Sequence, residues 1–523
     1  MKQAGRLLTC NGLIVSPLLV WIALPGRFSL WPLICISLVP LFYWITAAEN
    51  RRVAFRRGLA SGIILYSLLL YWVIPVLMQY GNLPWFVAIP CLFLLSLYMS
   101  VYLAVFATLF FQLNGTDSVW LYGAVPALWV GLDWLRSWLF GGFPWMDLGY
   151  GFWSMPSLLQ VADVAGHHGY TFFVVLINFV VFTLIDGRIS PLRRLSGVIL
   201  VIAITITGSV YSKIRWNEVE ASLSSTQSPL VGIVQGNIEQ NLKWSPQQRQ
   251  RTILTYLERS QFLMEKYSPT LIIWPETALP FYPINNELLQ PIKQFVRAHN
   301  VALITGAPWY EVQDLDKKLI DYYNSALLMS ADATFSGSYY KSHLVPYGEY
   351  VPLKRYMPFI SPLVEAVGDF TPGVIDQPLM AGTIRAGVLI CYESIFSNIS
   401  RTWVNSGANV LVNLTNDAWY GKSSAPYQSW AMTVFRAVET RRSLVRAANT
   451  GISGVIDPHG RILSDSGLFV QWAQAVSVPL NREKTLFVRG GYWFAPGCAV
   501  AGILISLLLF AAAGRSGKGF LRQ

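Results

Sequence analysis

A chain of 523 residues that is 53% hydrophobic and only 13% charged, with a mean hydropathy of +0.42, is too apolar for a water-soluble globule, which carries about 25% charge. Its net charge of +11 does not point to nucleic acid, because many basic residues stand in short runs beside apolar segments, as topology signals do. Aromatic residues at 14%, with 20 Trp, suit side chains that sit at bilayer interfaces.

Apolar runs of membrane-crossing length, about 17–25 residues, are predicted near 7–25, 28–48, 58–79, 84–112, 119–140, 170–186, 195–212 and 493–513. The fourth is long enough to tilt or to extend past the hydrocarbon. Lys2 and Arg6 precede the first run as in a secretory leader. No small-residue cleavage site follows and further runs come at once, so a retained helix is expected. With the amino terminus in the cytoplasm, three basic groups fall on the cytoplasmic side: Arg51, Arg52, Arg56 and Arg57; Arg188, Arg193 and Arg194; Arg515, Lys518 and Arg522. Residues of about 213–492 then lie outside it. The fifth run carries Asp133 and Arg136, three apart on a helix. An internal ion pair is expected there, with a lipid-headgroup site as the alternative. The loop 141–169, rich in Gly, Trp and Tyr, is a candidate roof over a lipid entrance.

The expected organisation is a membrane domain over 1–212, a polar domain over 229–480 and a last span over 493–513, with Ser222–Ser228 as linker. Strands are predicted at Leu230–Gln235, Leu271–Trp274, Ala302–Thr305, Ala326–Met329, Ala386–Ile390, Val410–Leu414 and Gly454–Asp457. Helices are predicted at 246–266, 286–299, 394–406 and 427–441. Several strands are apolar throughout rather than alternating, which implies sheets covered on both faces and a layered α/β domain.

Three of the apolar or aromatic stretches stop abruptly at reactive side chains. Leu271–Trp274 runs into Pro275-Glu276, Tyr340 precedes Lys341, and Ala386–Ile390 ends at Cys391-Tyr392-Glu393. Of five cysteines, Cys10, Cys35, Cys91 and Cys498 fall in apolar runs, so Cys391 alone belongs to the polar domain and has no partner for a disulfide. A lone Cys after a strand can be merely a small buried hydrophobe. Its company argues otherwise: a carboxylate that can take a proton, an ammonium that can stabilise thiolate or oxyanion, and a thiol that can attack a carbonyl make an acyl-transfer set. No CxxC, HExxH or histidine cluster is evident, so no metal site is expected.

Trp274-Pro275-Glu276-Thr277, the run Lys341–Glu349 and Cys391-Tyr392-Glu393 resemble the Glu–Lys–Cys set of the nitrilase (carbon-nitrogen hydrolase) superfamily. The strings Lys341–Glu349, Asn416–Gly421 and Arg446–Gly451, with seven spans before and one after, resemble the apolipoprotein N-acyltransferase family over essentially the whole chain. The resemblance implies an α-helical membrane domain of about eight spans and a nitrilase-like α-β-β-α domain on the periplasmic face of the bacterial inner membrane. It implies that a phospholipid, typically phosphatidylethanolamine, gives its sn-1 acyl chain to the Cys391 thiol. The thioester then passes the chain to the α-amine of the diacylglyceryl-cysteine of an apolipoprotein, with no cofactor and as a monomer. In that likeness Glu276 is the base, Lys341 the electrostatic stabiliser and Cys391 the nucleophile. Glu349 would position Lys341, and Glu393 would hold the nucleophile loop or aid proton transfer. Asn324 and Tyr392 would support the pocket, and Trp244 and Trp419 would contact substrate. Mobile arms are expected around Trp244 and in 352–372, and His343 is read as structural. A membrane-tethered hydrolase whose thioester is discharged by water would use the same three residues. A non-catalytic scaffold is disfavoured by their presence together, and a transporter by ionisable residues lying mostly outside the spans.

Overall fold

The computed structural model of the protein describes residues 2–187, 189–240, 245–314, 319–350, 370–489 and 492–515. The chain forms two compact units: Met1–Ile74, Pro84–Trp216 and Arg489–Gln523 make the first, Pro75–Leu83 and Asn217–Val488 the second.

All eight apolar runs of the first unit are helical in whole or part, but not every one is a single membrane-crossing rod. Among the described residues, four helices are long and apolar enough to cross a membrane: Trp85–Leu113, Pro156–Ile185, Pro191–Ser224 and Phe494–Ala512. Arg51–Leu69 and Val73–Gln79, bent by 57°, make a fifth if they count as one span. The expectation of eight is therefore not met by helix length alone. The run at 28–48 is split into a short 3-10 turn, Trp31–Cys35, and the eight-residue helix Val39–Thr46. Pro32 and Pro40, which lack an amide hydrogen, open these two pieces. The run at 119–140 is α-helical over Leu121–Arg136 and then enters a short 3-10 turn, Leu139–Gly141. The linker expected at Ser222–Ser228 begins inside a helix, since Pro191–Ser224 extends to its third residue. Aromatic packing supplies much of this unit's core: the buried Phe42 ring lies 4.8 Å from Phe110 and 5.9 Å from Phe182.

The second unit contains two six-stranded sheets. Its strands are β1 Leu230–Gln235, β2 Leu271–Ile273, β3 Ala302–Asp314, β4 Leu319–Met329, β5 Phe335–Tyr340, β6 Leu379–Ala381, β7 Ile384–Ile390, β8 Val410–Thr415, β9 Ser443–Ala448, β10 Gly454–Ile456, β11 Ile462–Asp465 and β12 Trp472–Ser477. One sheet has the order β12-β1-β2-β3-β4-β5, the other β11-β10-β9-β8-β7-β6. In each, three parallel strands, β1-β2-β3 or β7-β8-β9, are flanked by antiparallel partners. Every residue of β8 and β9 is buried, as expected where both faces are covered.

Helix Pro246–Lys266 packs Ile253, Tyr256 and Leu263, and helix Gln290–His299 packs Ile292 and Val296, against Val234, Ile272, Trp274 and Leu303 of the first sheet. Helices Ser397–Asn405 and Ala425–Thr440 cover the second sheet, and the two sheets meet through β1 with β9 and β4 with β7. The result is an α-β-β-α sandwich, the layering that the resemblance implied. All seven expected strands form, but β3 and β4 are longer than the predicted Ala302–Thr305 and Ala326–Met329 and pair as a hairpin. Strands β5, β6, β9, β11 and β12 were not predicted. β5 reads Phe-Ser-Gly-Ser-Tyr-Tyr, more like a polar loop than a strand, and β9 carries Arg446 in its middle.

Candidate functional site

Glu276 stands just beyond β2, Lys341 immediately after β5 and Cys391 immediately after β7, so the two sheets contribute two strand ends and one. The turn Trp274–Thr277 is fastened to β3: Gly306 donates its amide to the Pro275 carbonyl at 3.1 Å, and Leu279 donates to the Gly306 carbonyl at 3.1 Å. Only glycine permits this approach. A Cβ at position 306 would lie 2.4 Å from the Thr277 nitrogen and 2.6 Å from the Glu276 Cα. Glu276 is thus held 7% exposed, at a fixed height above the sheet.

Asn324, on β4, links the two carboxylates. Its Nδ2 donates to Glu276 Oε1 and to Glu349 Oε1, each at 2.8 Å. The other oxygen of Glu349 lies 2.8 Å from Lys341 Nζ and accepts from the Val345 amide at 2.9 Å. Lys341 is only 1% exposed. Burial alone would push its pKa down, but the charges of Glu349, Cys391 and Glu276 outweigh that and hold it raised, so the ammonium stays protonated.

Cys391 adopts φ +51°, a left-handed conformation that costs a non-glycine residue about 1 kcal/mol or more. Two hydrogen bonds hold its carbonyl: Ser394 Oγ donates at 3.0 Å and Asn413 Nδ2 at 3.5 Å. The sharp bend is tied down chiefly by Glu393, which is fully buried. Glu393 Oε2 accepts from the Ile390 amide at 2.8 Å. Its Oε1 accepts from the amides of Ser342 at 2.8 Å and His343 at 3.0 Å and from the Ser342 hydroxyl at 2.8 Å, with the Tyr339 hydroxyl at 2.7 Å. One carboxylate therefore joins the Cys391 bend on one sheet to the Lys341 loop on the other.

Burial first, then Glu276 and Asp417, push the Cys391 thiol up to about 12, against the lowering effect of Lys341 and of a hydrogen bond with Thr415. At neutral pH the sulfur carries its proton, and a base must remove it as bond formation begins.

His343 packs its ring 4.1 Å from Phe396 and 5.7 Å from Tyr392. Burial, then the Lys341 charge, lower its pKa to about 4. The folded state thus disfavours the imidazolium. The stability this contributes is complete above the unfolded value of about 6.5 and is lost as pH falls toward 4, by up to about 3 kcal/mol. His343→Gln is expected to flatten the thermal-stability profile between pH 6.5 and pH 4 relative to the parent. An unchanged slope would place the acid sensitivity elsewhere.

Tyr392 is buried against Phe396, with ring centroids 5.0 Å apart. Trp419 lies on a 3-10 turn after β8, its ring 4.7 Å from that of Tyr80. Trp244, and residues 352–369 of the arm expected at 352–372, lie outside the described residues.

Thr415, Asp417 and Tyr420 interact with the thiol, and Arg446 joins them through Asp417; none of the four was given a role from sequence, although Asp417, Tyr420 and Arg446 fall in the strings that carry the resemblance. Thr415 donates to Asp417 Oδ1 at 2.9 Å, and Arg446 pairs with Asp417 Oδ2 at 2.8 Å, both ions almost fully buried. The hydroxyl of Tyr420 feels Cys391, Asp417 and Glu276, and its pKa lies well above the usual phenol range, mainly through burial. A signal for the ion pair was available: an arginine inside an apolar strand needs a buried anion, and Asp417 follows the neighbouring strand. The absence of a histidine cluster expected from sequence is corrected as well. His167 and His168 converge with Asp147 in the first unit, their ligand atoms within 4.8 Å of one another. In the same unit Asp133 and Arg136 form an internal ion pair at 3.1 Å.

Two family models match the chain: "Apolipoprotein N-acyltransferase N-terminal domain" over residues 16–180 and "Carbon-nitrogen hydrolase" over residues 230–482. The apolipoprotein N-acyltransferase of Geobacter metallireducens is 36% identical over 501 residues, covering 95% of this chain and 94% of that protein. That of Methylococcus capsulatus is 32% identical over 473 residues, covering 89% of each. Among solved structures, an amidase from Nesterenkonia sp. is 18% identical, with a TM-score of 0.37 over 51% of this chain and 94% of its own.

Proposed function

The chain belongs to the apolipoprotein N-acyltransferase family, and from that premise we propose that it moves an acyl chain from a membrane phospholipid, through a thioester on Cys391, to the α-amine of a diacylglyceryl-cysteine. The observation that carries this reading is the convergence at one thiol of a buried ammonium and a carboxylate, joined by the Asn324 bridge.

In the first half-reaction Glu276 takes the Cys391 proton as sulfur attacks the ester carbonyl. Charge develops on the carbonyl oxygen, where Lys341 stabilises it. The carbon–oxygen bond of the ester breaks, the lysophospholipid alkoxide takes the proton from Glu276, and a thioester remains. In the second, the acceptor amine attacks the thioester carbonyl, an amide forms, the sulfur leaves, and one amine proton returns to Cys391. Glu349 fixes the Lys341 ammonium, and Asn324 keeps Glu276 and Glu349 apart while satisfying one oxygen of each. Glu393 holds the bend that presents the thiol. Tyr392 supports that bend through its packing, and Trp419 and Trp244 are assigned to substrate contact.

Membrane attachment has a chemical reason. Lifting an acyl chain into water would cost about 0.8 kcal/mol per CH₂, so a site beside the bilayer lets an ester meet the thiol while the tails stay in hydrocarbon. This reading keeps eight spans as its topology, sets residues 229–480 on the periplasmic face of the inner membrane and takes the working unit as a monomer. The basic runs at 51–57, 188–194 and 515–522 support the orientation.

Mass spectrometry of the purified protein after incubation with phosphatidylethanolamine tests the chemistry. The Cys391 peptide is expected to gain one acyl mass and to lose it, with formation of N-acyl product, when a diacylglyceryl peptide with a free amine is added. Discharge at the same rate without the peptide would indicate a hydrolase. No acyl mass on Cys391 would overturn the thioester route.

A further inference from the structure

We propose that Asp147, His167 and His168, in the helical unit and apart from the residues around Cys391, form a binding site for a divalent transition metal of the zinc class. Asp147 lies in the segment that follows helix Leu121–Arg136. The two histidines follow Gly166, whose φ of 62° and ψ of −170° break the helix and free the first turn after the kink. Asp147 Oδ2 lies 3.0 Å from His167 Nε2 and 3.7 Å from His168 Nε2. A tetrahedral ion with bonds of about 2.0–2.1 Å separates its ligand atoms by roughly 3.3 Å; the two Asp147 edges lie on either side of that value, and with all three ligand atoms within 4.8 Å of one another a bound ion would draw the histidines closer together. The donor set, two imidazoles and a carboxylate, is one that zinc takes with a water in the remaining position.

The surroundings support a cation. Asp147, His167 and His168 are 2%, 3% and 4% exposed. Arg136 bonds the other oxygen of Asp147 and also reaches Asp133 and the Tyr66 hydroxyl, each at 3.1 Å. That contact turns Oδ2 toward the histidines, as outer partners orient metal ligands. An imidazole ring nitrogen is a common ligand atom for such an ion.

The ligands are also held in place. A Cβ at Gly149 would lie 2.2 Å from the His167 carbonyl, so glycine lets the Asp147 segment press against the helix, where the Gly149 amide donates to Thr171 Oγ1 at 3.1 Å. Tyr150 stacks on His167 with centroids 4.7 Å apart, and Tyr492 on His168 at 5.6 Å. A bound ion would clamp the segment after Asp147 to the helix that begins again at His167.

The test is elemental analysis of full-length, tag-free protein, purified in detergent from cells grown with added zinc and without chelators. About one zinc per chain is expected, falling at least fivefold in Asp147→Asn and His168→Gln and unchanged in Cys391→Ala. Where the first two variants do not fold, the parent decides. Chelator-stripped protein should regain thermal stability on adding zinc, and cobalt(II) should give visible ligand-field absorption that zinc abolishes. Parent protein with no metal above the stripped control, no stabilisation by zinc and no cobalt spectrum would overturn the proposal.

Discussion

Lys341→Met is expected to lower acyl transfer by about 10²–10³-fold, the loss typical when a donor aimed at a developing oxyanion is removed. The substitution also strips the partner from Glu349, an ion pair of 2.8 Å whose lysine is 1% exposed, and leaves Glu276 and Glu349 joined through Asn324 with no cation between them. Breaking one side of such a pair costs about 3–5 kcal/mol of stability, so lost activity alone would not separate chemistry from folding. The double variant Lys341→Met with Glu349→Gln removes the orphaned charge. It should recover part of the thermal stability, because the amide oxygen can still accept from Asn324, although the amide nitrogen then faces the Val345 N–H. Its transfer rate should remain as low as that of the single variant. Recovery of transfer along with stability would sink the electrostatic role of Lys341 and leave it a structural residue.

Glu393→Gln is expected to cost about 3 kcal/mol and, in the protein that still folds, to slow thioester formation by about 10²-fold. The substitution keeps volume but replaces an acceptor-only group with one that carries two N–H donors. Three backbone amides, those of Ile390, Ser342 and His343, converge on Glu393 together with two hydroxyls. An amide nitrogen facing any of them leaves both donors without a partner. Burial pushes the Glu393 pKa up and the Ile390 amide and Tyr339 hydroxyl oppose it, so the charged form is held by donors rather than by solvent. The displaced bend would move Cys391 relative to Lys341. Unfolding curves together with the rate of acyl-mass gain on Cys391 check both effects. A stable variant with full transfer would remove Glu393 from the account of how the thiol is presented.

The residues proposed to carry the chemistry stand out in sequence because each closes an apolar or aromatic stretch: Glu276 after Leu271–Trp274, Cys391 after Ala386–Ile390, Lys341 after Tyr339-Tyr340. An abrupt change from apolar to charged is a local signal, and local signals survive in sequence. Glu393 and Glu349 were visible by their spacing from those residues, but not the means by which they act. That Glu393 would bind the Ser342 and His343 amides depends on two sheets facing each other, some fifty positions apart in the chain. The Thr415–Asp417–Arg446 set was missed for the same reason, since its members come from adjacent strands whose pairing no short window reveals.

Strands β5 and β9 show a related limit. Their composition is too polar to announce burial, and neighbours supply what composition does not: β9 lies between β8 and β10, and its Arg446 is neutralised by Asp417. In the first unit the length of each apolar run was plain, whereas its division into helices was set by Pro32, Pro40 and the bend after Leu69.

Composition and the order of apolar segments sufficed to determine that this protein has a helical, strongly apolar part and a layered α/β part, because hydrophobic burial is additive and depends on residue type. They sufficed also to nominate one thiol, one ammonium and one carboxylate. Only the tertiary structure decided that a single asparagine bridges two carboxylates, that one buried glutamate ties both sheets together beneath the nucleophile, and that two adjacent histidines turn toward Asp147. Those are matters of direction and distance between groups far apart in the chain, fixed when the sheets and helices pack and by nothing that precedes it.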